Sequence, residues 1–362
     1  MSDSLAIVNP DSPPKEKLDI DIVSKDQEDL AKRQLTFELF SRFLECTDYD
    51  MIEKREIDQM IIVKLLESLD SKDAGEREFT KILLRRIYFK FDPLRPYIRH
   101  EINNVFYRFI HETENINGMT ELMEFLNEVF RKCNDLPNDE QKNLLIKIIV
   151  PLHKAQSLIT YFIPMMKCTL LLLHGNSKVM GDYINGLLKI WPMVSSEKEM
   201  MFLDEIYKIM EKIGKEEFEQ IQLPMFRRIA KCLASPHMSV AERALRMWSH
   251  QNIVAHIISN NEVILPVMFP TLYQVSKEHW SDEVRDLVYS ITKLFLKMNE
   301  KLFNELNKNF KSEREKEKAL ELEREERWNK VMEMQSNRSQ CLSVDIDLNS
   351  GLVDHLKELV ID

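Results

Sequence analysis

Glycine and cysteine are both scarce in this sequence, with 7 and 5 among 362 residues. Phosphate-binding loops and nucleophile elbows need glycines at fixed spacing, and the signatures G-x-x-x-x-G-K-[ST], G-x-G-x-x-G and G-x-S-x-G are all missing. The cysteines show no C-x-x-C spacing, which is typical of reduced intracellular thiols that mostly fill the core. These absences argue against the common nucleotide-binding proteins and hydrolases that use these motifs.

The sequence also lacks a metal or catalytic constellation. H-E-x-x-H is absent, and His250 and His256 are six residues apart, which is wrong for one face of a helix. Acidic pairs such as Asp204 and Glu205 fall in a helix whose pattern predicts exposure, where carboxylates are ordinary solvated charges. We therefore expect no catalytic residue, no metal and no cofactor, in a protein that is not an enzyme.

A positive charge balance and a long apolar run are missing as well. The net charge of −10 argues against nucleic acid as the main ligand, because phosphate binding needs a dominant basic surface. No run of about 18 uncharged apolar residues occurs, and the first residues show no basic and apolar leader. We expect no membrane partner and a location in the cytoplasm, the nucleus or both.

Leu, Ile, Met, Glu and Lys are abundant, and all lose little side-chain freedom in helices. Apolar residues recur at helical spacing, as from Phe202 to Ile213 and from Val284 to Leu306. Prolines, which break helices, recur at repeat-like intervals: 41 residues from Pro96 to Pro137 and 42 from Pro224 to Pro266. With no strand alternation, this predicts an all-α fold, an α-solenoid of HEAT- or armadillo-like repeats.

Three segments differ in pattern. Residues 1–28 and 335–362 lack sustained periodicity, and we expect a disordered N-terminal segment and a mobile C-terminal tail. Residues 29–334 form the predicted solenoid, which ends in a long charged helix. Its stretch from Lys311 to Lys330 has seven basic and seven acidic residues, which favours a solvated helix over a coiled-coil partner site.

One segment reverses the charge of the whole chain. From Lys81 to His111 there are seven basic and two acidic residues, a local balance of +5. We call Lys81, Arg85, Arg86 and Arg95 the basic patch. Lys81 and Arg85 are one helical turn apart, so the segment predicts a cationic surface on neighbouring helices.

Apolar residues of the next helix accompany this surface. Phe125 and Val129, at spacing i and i+4, predict pockets beside the arginines. A groove with apolar holes and a cationic rim suits an extended peptide with hydrophobic anchors and acidic or phosphorylated side chains. The alternative is that arginines such as Arg86 and Arg99 only pair with carboxylates such as Glu78, as many surface cations do.

Several stretches resemble the B-prime family of regulatory subunits of protein phosphatase 2A. The resemblance runs in order from about Leu35 to about Met334. It is carried by EREFTKILLRRIYFKFDPLRPYIRHEINNVFYRFIHETE (Glu76–Glu114), LLKIWP (Leu187–Pro192), VAERAL (Val240–Leu245), ILPVMFPTLY (Ile264–Tyr273) and KMNEKLF (Lys297–Phe303).

The resemblance implies a curved stack of HEAT-like repeats that joins the phosphatase scaffold and catalytic subunits and recruits substrates carrying LxxIxE-type peptides. Carried over by position, it implies that the basic patch and Tyr88 receive the acidic or phosphorylated part of the motif. The resemblance implies that Phe125 and Val129, with Glu124 beside them, form the pockets for the hydrophobic anchors. It implies that Asn138 and Gln141 occupy the positions that meet the motif's final Glu.

This chain departs from the family at four of these positions. Arg85 replaces a His, and Phe125 replaces an Ile, which should reshape an anchor pocket. Asn138 and Gln141 replace the Lys and His that usually hold the final Glu. Losing a charge-assisted hydrogen bond costs about 1 to 3 kcal/mol, or roughly tenfold to a hundredfold in affinity. We therefore expect a weaker demand for the final Glu and a stronger preference for phosphorylation near the arginines.

Relatives usually carry about two further repeats and an acidic loop before the matching part, where this chain has about 30 residues. We expect the helix from Leu35 to Leu44 to cap the solenoid, with Phe37 and Phe40 partly uncovered. A regulatory subunit of a phosphatase holoenzyme is the leading interpretation. The alternatives are a peptide-binding decoy that does not assemble and an unrelated HEAT adaptor of the nuclear-transport kind.

Overall fold

The computed structural model describes residues 32, 35–36, 38–39, 41–42, 59–113, 116–133, 136–175 and 177–358, with side chains as far as Gln335. The predicted disordered segment 1–28 and the capping residues Phe37 and Phe40 lie outside these ranges. Every regular element within them is helical, and none is a strand. The all-α fold class predicted from the sequence is confirmed.

Contacts divide the chain between Ser259 and Asn260 into two compact units. Among the described residues, the α-helices of the first unit with six or more residues are α1 (Gln59–Ser68), α2 (Ala74–Lys90), α3 (Arg95–Arg108), α4 (Met119–Lys132), α5 (Asn138–Asn143), α6 (Leu158–Gly175), α7 (Met180–Lys189), α8 (Ser196–Met210), α9 (Lys215–Leu233), α10 (Met238–Leu245) and α11 (Gln251–Ser259). Helix α5 continues as a π-helix, Leu144–Ile149. The second unit contains α12 (Asn261–Glu278), α13 (Asp282–Met298) and α14 (Glu300–Glu358).

Most helices of the first unit form two layers, in which each helix packs on its second neighbour along the chain. One layer stacks α1, α3, the π-helix after α5, α7 and α9. The other layer stacks α2, α4, α6, α8 and α10. Paired helices whose repeats contact their neighbours are the arrangement of a helical-repeat solenoid. The predicted stripe from Phe202 to Ile213 lies in the core, with Phe202, Ile206 and Ile209 fully buried.

Prolines mark some helix boundaries but not others. Pro96 lies in the first turn of α3, and Pro137 is the residue before α5, positions that suit its fixed φ. Pro224 and Pro266 lie inside α9 and α12, so the 42-residue interval between them does not separate helices. The regular spacing of the prolines therefore follows the repeat length, but a proline does not mark a helix boundary in every repeat.

The apolar stripe from Val284 to Leu306 predicts one helix, and this prediction is wrong. The structure ends α13 at Met298 and begins α14 at Glu300. Between them the Asn299 side chain accepts a hydrogen bond from the backbone N–H of Leu302 at 3.1 Å. A polar side chain thus caps the new helix, which the apolar spacing could not reveal.

A buried polar cluster joins helices of both layers. His153 Nδ1 lies 2.8 Å from the carbonyl oxygen of Ile149, and its Nε2 lies 2.7 Å from Glu205. The Tyr183 hydroxyl donates to the other Glu205 oxygen at 2.6 Å. Since a carbonyl only accepts, Nδ1 carries a proton. Burial and Glu205 raise the pKa of Tyr183 well above its usual value, so its hydroxyl stays neutral.

This cluster corrects the expectation that Glu205 is a solvated carboxylate, because its side chain is 0% exposed. Its neighbour Asp204 is partly exposed and pairs with Arg243 at 2.9 Å. A buried carboxylate needs hydrogen-bond partners, and Glu205 has two. The His153 side chain is also 0% exposed. The cluster is therefore part of the buried core between the helices that it joins.

The cysteines match their predicted role as core residues where the structure describes them. Cys168 and Cys232 are buried, and burial raises the pKa of both thiols, that of Cys232 to about 12. Cys133 is partly buried, while Cys46 and Cys341 lie outside the described side chains. Both buried thiols therefore stay protonated at neutral pH.

Within the described ranges, no three His, Cys, Asp or Glu side chains form a group that could hold a metal ion. In the same part of the chain, no single helix is both long and apolar enough to cross a bilayer. Helices α11 and α12 reach that length and apolar character only when they are taken together.

Candidate functional site

Helix α2 carries the first half of the basic patch, and Asp73 fixes where it begins. The Asp73 carboxylate accepts a hydrogen bond at 2.8 Å from the backbone N–H two residues later, as an N-cap does. Lys81 and Arg85 then lie one turn apart. Both reach α4, where Lys81 Nζ is 2.6 Å from Glu124 and Arg85 is 3.1 Å from Glu128.

Lys81 is held by two carboxylates. Its ammonium also lies 2.7 Å from Glu78, one turn earlier on α2. Partial burial lowers the pKa of Lys81, but hydrogen bonds to Glu124 and Glu78 outweigh burial, so the pKa is raised. The ammonium is therefore compensated within the protein before any peptide arrives.

Arg95 folds back onto the end of α2. Its Nε donates to the carbonyl oxygen of Tyr88 at 3.0 Å, and its guanidinium lies 5.6 Å from the centre of the Tyr88 ring. Arg95 also pairs at 2.6 Å with Asp92, which belongs to the short turn between α2 and α3. The turn thus places Arg95 beside the aromatic residue that the resemblance assigns to the same site.

Arg99 lies one turn after Arg95 and connects two repeats. Its Nε donates to Glu140 on α5 at 2.8 Å, and its Nη1 donates to the Tyr88 hydroxyl at 3.0 Å. Burial lowers the pKa of Arg99, but the hydrogen bonds to Glu140 and Tyr88 raise it further than burial lowers it. The alternative interpretation expected Arg99 only to pair with a carboxylate such as Glu78, whereas the structure pairs it with Glu140 and also with the Tyr88 hydroxyl.

Arg86 points away from Lys81 and Arg85. It donates to the backbone oxygen of Ser41 at 3.1 Å and to the Ser41 hydroxyl. Ser41 belongs to the helical residues that precede α1. The structure therefore brings Lys81 and Arg85 together on one face and places Arg86 on another side of α2.

Phe125 and Val129 lie in the core and not in open pockets. Their exposed fractions are 1% and 2%, and the Phe125 ring packs edge-on against Tyr88 with centroids 5.6 Å apart. This corrects the geometric expectation of apolar holes beside the arginines. A helix buries the face that meets its neighbours, and here that face includes both residues, whereas Glu124 stays exposed.

Asn138 and Gln141 lie at the start of α5. Asn138 is exposed, whereas the Gln141 side chain donates to the backbone oxygen of Leu136 at 2.9 Å. The buried Gln141 Oε1 accepts no hydrogen bond from any described residue. Between them on the helix, Glu140 carries a negative charge toward Arg99. Neither position carries a cationic side chain.

The carboxylate partners that lie on the next repeat were missed in the sequence, although a signal for them exists. Each of these partners lies about one repeat length further along the chain, as stacked repeats place them. The separations are 44 residues for Arg77 and Glu121, 43 for Lys81 and Glu124, 43 for Arg85 and Glu128, and 41 for Arg99 and Glu140. Searching for opposite charges at the proline period would have found them.

Comparison with known proteins agrees with this architecture. Residues 7–335 match the family model described as "Protein phosphatase 2A regulatory B subunit (B56 family)". The chain is 44% identical over 302 residues to the human serine/threonine-protein phosphatase 2A 56 kDa regulatory subunit delta isoform, which covers 83% of this chain and 50% of that protein.

Two further relatives give the same result. The chain is 42% identical over 307 residues to the mouse alpha isoform, covering 84% of this chain and 63% of that one. It is 41% identical over 305 residues to the Caenorhabditis elegans regulatory subunit pptr-1, covering 84% and 56%. This chain thus spans half to nearly two thirds of the length of these relatives, which are named as regulatory and not catalytic subunits. With the family model matching most of its residues, the chain belongs to the B56 family of protein phosphatase 2A regulatory B subunits.

Proposed function

We propose that this protein is a non-catalytic subunit that joins the phosphatase 2A scaffold and catalytic subunits and recruits substrates through LxxIxE-like, preferably phosphorylated, peptides. Family membership supports the first part. The observation that carries the second is the row of Lys81 and Arg85 on one face of α2, with Arg95 beside Tyr88 at its end.

An incoming peptide competes with the protein's own carboxylates. Glu124 and Glu128 are 47% and 35% exposed, so they can turn away into water when a stronger anion approaches. A phosphate carries up to about two charges and three acceptor oxygens, whereas a carboxylate carries one charge. A phosphorylated side chain therefore displaces them better than Asp or Glu does.

At the other end of the proposed peptide site, neither Asn138 nor Gln141 attracts an anion. Asn138 and Gln141 are neutral, and Glu140 holds a negative charge between them. A motif's final Glu gains no charge-assisted hydrogen bond from these side chains. The peptide specificity we propose is therefore phosphorylation near the arginines with little dependence on the final Glu.

Peptide titration by fluorescence polarisation tests this specificity. We expect an LxxIxE peptide and its Glu-to-Ala counterpart to bind within about threefold of each other, because no cation meets the Glu. The double substitution Asn138→Lys with Gln141→His should restore a preference of roughly tenfold to a hundredfold for the Glu peptide. A Glu-to-Ala peptide that binds the unchanged protein tens of times more weakly would contradict the proposal.

Co-purification with the phosphatase scaffold and catalytic subunits tests assembly. We expect the Arg85→Glu variant, which removes one of the two cations in the row on α2, to assemble while failing to recruit motif-bearing substrates, and a thermal melt of the variant checks that it folds. Peptide binding without any assembly would instead favour the decoy function. The cytoplasmic or nuclear location stays a prediction.

A further inference from the structure

A second basic surface lies on the first unit and uses none of the residues proposed above. It is a groove of about 750 Å³ between the π-helix after α5, helix α7 and helix α9. Its floor is apolar and includes Ile146, Val150 and Leu188. We call this cavity the basic groove, for the charges along its rim.

Close contact between the helices shapes the floor. Gly186 of α7 faces Val150, and a Cβ atom on Gly186 would lie only 3.2 Å from a Val150 methyl carbon. A larger residue would force α7 away from the segment after α5, because packed interiors have little free space. The glycine thus keeps α7 close to this segment along one side of the groove.

The rim of the groove is strongly cationic. Five basic side chains line it against the single carboxylate of Asp182, a balance of +4 in a chain whose net charge is −10. The basic residues are Lys142, Lys189, Arg227, Arg228 and Lys231.

Only two of these five cations have a described role inside the protein. Lys142 pairs with Asp182 at 3.0 Å, and the Arg228 guanidinium lies 5.4 Å from the centre of the Trp191 ring. Lys189, Arg227 and Lys231 are exposed, and no ion pair joins them to any side chain that the structure describes.

The uncompensated cations also repel one another. Arg227 and Lys231 lie at i and i+4 on α9, where two like charges destabilise a helix. Lys189 ends α7 on the facing side of the same groove. Folding leaves this repulsion in place, and an anion in the groove would relieve it.

We propose that the basic groove is a docking site for an extended peptide segment of a partner protein that carries clustered acidic or phosphorylated side chains among apolar ones. Charge complementarity selects the anionic side chains, and the apolar floor accepts the residues between them. The site is independent of the basic patch, so it adds a second point of recognition to the proposed function.

Binding of synthetic peptides to the full chain tests this site. Three labelled peptides alternate leucine with glutamate, with phosphoserine or with glutamine, and their affinities are measured by fluorescence polarisation. A triple variant carries Lys189→Gln, Arg227→Gln and Lys231→Gln. It should lose roughly tenfold in affinity for at least one anionic peptide, because it loses three exposed ion pairs with the peptide. Added salt should weaken the same binding.

A control variant removes the same number of positive charges at positions outside the groove. Lys64→Gln, Lys167→Gln and Lys297→Gln also removes three exposed cations and should bind the anionic peptides as the unchanged protein does. The groove variant should still bind an LxxIxE peptide, which separates failure of this site from failure of the basic patch. Equal binding of the glutamine peptide, or equal losses in both variants, would overturn the proposal.

Discussion

The basic patch and the basic groove differ in what surrounds their charges, although both are cationic surfaces on an acidic protein. In the patch, Lys81 and Arg85 each meet a carboxylate of the next repeat at 2.6 Å and 3.1 Å. In the groove, Lys189 and Arg227 meet none among the described side chains. Cation density in the sequence therefore does not measure how much positive charge is free to bind an anion.

The repeat explains the difference. Stacked helices place residues about one period apart side by side, so a carboxylate at that distance compensates a cation whatever their local composition. A site whose cations are compensated binds an anion only by exchange. A site whose cations are uncompensated binds it by direct attraction. Four substitutions, from the most to the least compensated charge, test this contrast.

Glu205→Ala should have the largest effect. It removes the carboxylate that accepts from Tyr183 and contacts His153, leaving both groups buried without that partner. We expect a loss of about 3 kcal/mol or more in the free energy of unfolding, measured by urea denaturation. Asp204→Ala, which removes the neighbouring, partly exposed carboxylate, is the control and should cost under about 1 kcal/mol. Equal losses would show that the buried cluster is not special.

Arg99→Ala should come next. The substitution leaves Glu140 and the Tyr88 hydroxyl without the donor they share, in a partly buried place. The expected cost is about 2 kcal/mol in unfolding free energy. Arg108→Ala changes an exposed arginine of the same helix and should be near neutral. A loss at Arg99 no greater than that at Arg108 would mean that the repeat-spaced pairs do not stabilise the stack.

Lys81→Gln should have a smaller effect that depends on pH. Glu124 is half exposed, so solvent weakens the pair and we expect about 0.5 kcal/mol. The pKa of Lys81 is raised above its ordinary value of 10.5 by Glu124 and Glu78 despite burial. Its stabilisation is therefore present below pH 10.5 and is lost as the pH rises through the folded-state pKa. Urea denaturation at pH 8 and near pH 11 measures this, and a constant difference would contradict it.

Lys231→Gln should have the smallest effect, and its sign should be opposite. Removing Lys231 relieves the repulsion from Arg227 one turn away, so the unfolding free energy should rise by about 0.3 kcal/mol or less. Chemical denaturation at low salt shows the change best. A destabilisation of about 1 kcal/mol would reveal a partner for Lys231 and remove the basis of the contrast.

Much of the fold was predictable from the sequence, and parts of the candidate site were not. Helical spacing predicted the stripe from Phe202 to Ile213, and scarce glycine with no strand pattern predicted an all-α chain. Spacing could not show that Asn299 interrupts a continuous apolar face, because a cap depends on one polar side chain. Local charge counts found the basic patch but not Glu128 or Glu140, which lie one repeat away.

The sequence by itself determined the helices, the approximate repeat length and the family, because periodicity and motif order are properties of a linear chain. Only the tertiary structure decided which residues face which layer. It buried Phe125, Val129 and Glu205, which had been expected at a site or in solvent. It also gave Lys81 a carboxylate partner and left Lys231 without one among the described residues. Burial and charge compensation arise from residues far apart in sequence that stacking brings together, so local pattern cannot fix them.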